Sequence, residues 1–170
     1  MKRSSINKIL LWSMVLLVMA AIYSLSAQTS AESQALSGKA IRVMANLLVP
    51  GFDDLSEGQP AQMVREWQNF VRKTAHLTIY MILGAVCMLA LLQHEMGGLR
   101  QVAGALGISV AYAISDEVHQ FFVSGRGPLI TDVFIDGVGA LIGVLLVLII
   151  LKLMGGEAQR GTRLRSNQQP

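Results

Sequence analysis

Charge is scarce in this chain: 15% of its 170 residues are charged and 52% are hydrophobic. A soluble domain carries about 25% charged residues, so an ordinary soluble domain is excluded. High hydrophobicity with little charge equally excludes an intrinsically disordered protein. Cysteine is nearly absent. The single Cys87 sits in an apolar run, which leaves no disulfide framework and no cysteine metal site. No Gly-rich phosphate loop, serine elbow or internal repeat is present. The net charge of +3 comes from basic residues near the ends, which a membrane explains, so no nucleic-acid partner is implied. What remains is a small polytopic membrane protein of one domain.

Four apolar stretches are present, at residues 9–23, 77–92, 102–115 and 138–151. Crossing about 30 Å of hydrocarbon takes about 20 residues. The second stretch therefore reaches back to Lys73, and the fourth must start near Asp132 or Pro128. The third has only 14 residues, at the lower edge for a span. The expected fold is all-α: a four-transmembrane-helix bundle over residues 1–153, then a disordered cytoplasmic tail at 154–170. Residues 9–23 also read as a signal peptide, with small residues at Ser24, Ser26 and Ala27. Cleaved or not, the segment after it emerges outside.

Basic residues orient the bundle. With the N-terminus inside, Lys2, Arg3, Lys8, Arg100, Lys152, Arg160, Arg163 and Arg165 lie inside, eight of the 14. Lys39, Arg42, Arg65, Arg72, Lys73 and Arg126 make the other six. The residues flanking the first and fourth spans favour this orientation most, so both termini are expected in the cytoplasm. The long outer segment, residues 24–70, is expected to carry short amphipathic helices. Residues 40–49 have helical spacing, with Ile41, Met44, Leu47 and Leu48 on one side before Pro50-Gly51. Pro60 suits the first turn of the next helix, where Val64, Trp67 and Val71 make an amphipathic turn on the outer surface.

In this topology the polar ends of spans two, three and four converge on the outer side. Lys73, His76 and Tyr80 are spaced i, i+3, i+7 on one helix face, with Arg72 beside them. Span three ends in Asp116, Glu117, His119 and Gln120, and span four begins with Asp132 and Asp136. Arg126 lies in the loop between. A lone carboxylate at the depth of Asp136 costs about 2.5–3.5 kcal/mol on insertion scales, so it needs a partner or water. Ala103, Gly107, Ala111 and Ser115 form a small-residue stripe on span three, and Gly139 and Gly143 a pair on span four. Both are expected to admit a neighbouring backbone. One carboxylate pair without paired histidines does not make a metal site.

The stretch Arg72-Lys73-Thr74-Ala75-His76, with Tyr80 and Leu83-Gly84, resembles the first signature of the VanZ-like family. Ala113-Ile114-Ser115-Asp116-Glu117-Val118-His119-Gln120-Phe121, then Gly125-Arg126, Asp132 and residues 139–143, resembles its second. Residues 23–28 with Ser33 and Ser37 are similar to the family's serine-rich exit from span one. Ser124 departs from the proline that often precedes Gly-Arg. The resemblance covers residues 23–143. It implies a bacterial cell-envelope protein of the cytoplasmic membrane, in a family whose namesake is tied to low-level teicoplanin resistance.

Three readings of the outer site stand open. In the first, Arg72, Lys73, Tyr80, Gln120, Arg126, Asp132 and Asp136 bind an anionic lipid headgroup or lipid-linked envelope precursor, affecting glycopeptide or lipopeptide susceptibility. In the second, His76 is a general acid or base on a lipid-linked substrate, with Asp116 and Glu117 as its acids. In the third, the polar groups only fix bundle packing. None calls for a cofactor, and the oligomeric state is not encoded in any motif.

Overall fold

Pro60 sits in the first turn of a helix, where its missing N–H costs nothing. The computed structural model describes residues 3–48, 58–127 and 129–166. Among these it has five helices: α1 (Arg3–Ser26), α2 (Ser30–Leu48), α3 (Gly58–Leu91), α4 (Gly98–Phe121) and α5 (Ile130–Ser166). Three contain segments long and apolar enough to cross a membrane: Ser5–Ser26, Phe70–Leu91 and Ile130–Met154. At 1.5 Å per residue these rise about 33–38 Å, more than the ~30 Å hydrocarbon core. α4 has the length, at 24 residues, but carries Arg100, Asp116 and Glu117. It is not among the three.

α3 is the hub and packs on α1, α2, α4 and α5. Its pairing with α5 is closest, and glycine is the reason. A Cβ on Gly139 would collide with the carbonyl of Leu77, and one on Gly143 with that of Met81. The residue numbers rise together on both helices, so α3 and α5 run parallel. Tyr80, Leu83, Met88 and Val144 fill the core between them, joined from α1 by Val15 and Ile22.

The small-residue stripe expected to pack on α4 faces away instead. Ala103, Gly107, Ala111 and Ser115 are exposed, and nothing approaches Gly107. The inward face is Gln101, Ala105, Ser109 and Ala113, continuing into Asp116, Glu117 and Gln120. The two faces differ by two residues, roughly 200° around the helix. Burying the polar C-terminal residues against partners fixes the rotation, because a buried acid left unpaired is costlier than an exposed glycine.

The segment expected on the outer side, residues 24–70, also differs from expectation. α2 begins at Ser30, ten residues before Ala40, because Thr29 and Glu32 form a reciprocal cap. The Thr29 N–H and hydroxyl both donate to Glu32 Oε2 at 2.8 Å, and the Glu32 N–H donates to Thr29 Oγ1 at 3.3 Å. Of the expected apolar side, Ile41 is buried while Met44 and Leu47 are exposed. The stretch around Trp67 is no separate turn but the first part of the 34-residue α3. The tail expected to be disordered from residue 154 is helical in α5 as far as Ser166, and residues 167–170 lie outside the described residues.

Candidate functional site

Parallel helices turn matching spacings into a ladder. Lys73 and His76 on α3 face Asp132 and Asp136 on α5. Lys73 Nζ lies 3.5 Å from Asp132 Oδ1, and His76 Nδ1 lies 3.7 Å from Asp136 Oδ1. Asp136 is fully buried, and neither of its oxygens has a hydrogen-bond partner among the described residues. Its compensation is His76, which attracts it when protonated. The second reading of the sequence placed Asp116 beside His76. The acid found there is Asp136, because α5 and not α4 runs along that face of α3.

Asp116 is engaged elsewhere. Its Oδ2 accepts hydrogen bonds from Ser26 Oγ at 2.8 Å and Gln120 Nε2 at 3.1 Å. The Gln120 amide also reaches Ser26 Oγ at 3.4 Å. Glu117 Oε2 accepts the Leu129 N–H at 2.7 Å, immediately before α5 begins. These two acids therefore join α4 to the end of α1 and the start of α5.

Arg126 is carried by a loop that the fold holds in place. Gly125 adopts φ 74°, a left-handed conformation that a side chain strains. A Cβ there would also press on Ser30. The Ser30 N–H at the head of α2 donates to Ser124 O at 3.3 Å, and the Arg126 N–H donates to Val123 O at 3.1 Å. The guanidinium is partly buried, and its Nε has no hydrogen-bond partner among the described residues. Burial pushes its pKa below the ordinary arginine value and the like charge of Arg72 adds to this, while Asp116 and Glu117 oppose both.

Two adjoining cavities meet at this point. A polar chamber of about 120 Å³ is walled by Arg72, His76, Gln120, Arg126 and Asp132. An apolar groove of about 250 Å³ lies between α1, α2 and α3, walled by Ile22, Leu25, Leu36, Val71 and Ile79. Arg72, His76 and Arg126 border both. Five of the ten expected site residues thus line the chamber. Lys73 reaches Asp132 from outside it, while the buried Tyr80, Asp116, Glu117 and Asp136 line neither cavity.

Sequence reading gave no site role to several contributors. Ser26 counted as a small residue and as part of a serine-rich stretch, yet it is a buried partner of Asp116. Ser33 and Ser37 border the groove, and their i, i+4 spacing just after Thr29-x-x-Glu32 is the signal that places them on one helix face. His119 stacks against Tyr23 with ring centroids 4.5 Å apart. The Tyr112 hydroxyl donates to Met19 O at 2.6 Å, a second tie between α1 and α4. Among the described residues no group of three or more His, Cys, Asp or Glu side chains is placed to hold a metal.

Chemically, the chamber combines guanidinium forks suited to phosphate or carboxylate with an imidazole suited to proton transfer. A family model described as VanZ/LLP1 matches residues 11–151. No curated protein and no solved structure matches the chain.

Proposed function

The chain belongs to the VanZ/LLP1 family, and on that premise we propose that it is a bacterial cell-envelope protein that binds an anionic lipid headgroup or lipid-linked envelope precursor. The binding site is the chamber bordered by Arg72 and Arg126. The observation that carries this reading is the buried Nε of Arg126 at the chamber wall, which has no hydrogen-bond partner among the described residues. A buried donor without a partner is costly, and an anion supplies the missing acceptor. Asp132, the acid in the same wall, is neutralised by Lys73.

The topology that goes with this function has four spans, both termini in the cytoplasm and the chamber at the outer face of the cytoplasmic membrane. It is supported by the parallel course of α3 and α5. A chain leaving the inner end of α3 must recross the membrane before α5 begins, and α4 rises about 36 Å. Reporter fusions at Arg160 are expected to be active inside only. Activity outside would overturn both the orientation and the outer chamber.

The test of binding is titration of the purified protein with vesicles of phosphatidylcholine containing phosphatidylglycerol. Arg126→Ala is expected to weaken binding about tenfold, and added salt to weaken it further. Unchanged binding by a folded variant refutes the headgroup site. Altered susceptibility to glycopeptides or lipopeptides is the cellular consequence, read by comparing cells with and without Arg126→Ala.

One observation favours a second, enzymatic reading. Asp136 engages Nδ1 of His76, which leaves Nε2 as the nitrogen for proton transfer beside the arginines. In that case His76→Gln spares headgroup binding and abolishes turnover.

A further inference from the structure

The groove and the chamber share Arg72, His76 and Arg126, so an apolar slot leads directly into a cationic head. We propose that this pair of cavities holds a single-chain amphiphile ending in a phosphate monoester, its hydrocarbon chain between α1, α2 and α3 and its phosphate between Arg72 and Arg126. The proposal rests on the headgroup reading above and adds the class of molecule.

The single hydrocarbon chain is indicated by the groove's size and walls. Ile22 and Leu25 from α1, Leu36 from α2, and Val71 and Ile79 from α3 make its apolar walls, and Ser26, Gln28, Ser33 and Ser37 also border it. Its volume of about 250 Å³ is below the ~300–1,000 Å³ of pockets that enclose drug-sized ligands. That suits a segment of one chain and not two side by side. Leu36 is half exposed, so the groove opens outward and a longer chain continues into the bilayer.

The phosphate head is indicated by charge. A phosphate monoester carries about −1.5 to −2 charges and three free acceptor oxygens. Two guanidinium donors, Arg72 on α3 and Arg126 in the α4–α5 loop, border the chamber, with His76 beside them. A diester carries one charge and a second substituent, for which a chamber of about 120 Å³ leaves little room.

The full-length protein in phosphatidylcholine nanodiscs tests this with dodecyl phosphate, dodecanol, phosphatidylglycerol and lysophosphatidylglycerol as probes, and inorganic phosphate as a headgroup alone. Dodecyl phosphate is expected to bind at least about tenfold more tightly than the other lipids and dodecanol. Ala75 lines the groove as Leu36 does, so Ala75→Trp and Leu36→Trp fill it, and each is expected to lower that affinity about tenfold while leaving the binding of inorganic phosphate intact. Leu36 is exposed enough to accept tryptophan without unfolding the bundle. If the folded Leu36→Trp and Ala75→Trp proteins bind dodecyl phosphate as the parent does, the groove assignment is wrong and the headgroup reading survives. Equal binding of phosphatidylglycerol overturns the single chain, and equal binding of lysophosphatidylglycerol overturns the monoester. If Arg126→Ala changes neither dodecyl phosphate nor inorganic phosphate binding, the headgroup reading itself fails.

Discussion

The hydroxyl of Ser26, the last residue of α1, donates a 2.8 Å hydrogen bond to the carboxylate of Asp116, 90 residues away on α4. Both groups are buried, so the bond ties two helices together where water cannot replace it.

Ser26→Ala is therefore expected to destabilise the protein by about 1–3 kcal/mol, the cost of leaving a buried acceptor short of a donor. Thermal unfolding in detergent measures it. Because Gln120 contacts both groups, Ser26→Ala and Asp116→Asn should combine less than additively in a double-mutant cycle. Additive losses would show that the three do not act as one unit.

Substitutions at glycine separate the two small-residue stripes. Gly143→Leu meets the backbone of α3 and is expected to prevent accumulation of folded protein in the membrane. A Cβ on the exposed Gly107 meets nothing, so Gly107→Leu should accumulate as the parent does. Equal losses at both positions would mean that α4 is rotated relative to the arrangement described.

Gly125→Ala places a Cβ at φ 74°, which costs an L-residue roughly 1–2 kcal/mol. Since this residue sets the approach of the Arg126 loop to α2, the variant should also weaken headgroup binding. Retained stability together with parental binding would refute the positioning role of the loop.

The cap on α2 gives a pH dependence with a defined sign. Hydrogen bonds from Thr29 hold the Glu32 carboxyl below the ordinary carboxylate range. Its contribution is thus fully present above the unfolded pKa and is lost as pH falls through the lower, folded one. The advantage of the parent over Glu32→Gln should disappear on acidification and persist at neutral pH, as followed by helical circular dichroism. Thr29→Ala should cost about 1 kcal/mol, as at other N-caps.

Much of the fold was legible because hydropathy is a property of consecutive residues. The apolar runs at 9–23 and 138–151, and all but the last residue of the run at 77–92, fall in the three helices that are both long and apolar enough to cross a membrane. Spacing alone put Lys73 and His76 on one face of α3 and Asp132 and Asp136 on one face of α5. The Gly139 and Gly143 pair was likewise readable, since small residues four apart mark a face open to close approach.

Partner choice was not legible, because it depends on how each helix is rotated about its axis and which neighbour it meets. Ala103-Gly107-Ala111-Ser115 and Gln101-Ala105-Ser109-Ala113 are both plausible packing stripes when α4 is read alone. Packing against α1 and α5 selected the second, since only that rotation brings Asp116 to Ser26 and Glu117 to the Leu129 amide. The same parallel meeting of α3 with α5 gave His76 to Asp136, and the return of α2 over α1 and α3 made the groove. The sequence by itself determined a chain of apolar helices with polar residues gathered at their ends. Tertiary structure alone decided which of those residues bind one another and which are left facing a cavity, because burial requires each polar group to find its partner in space rather than along the chain.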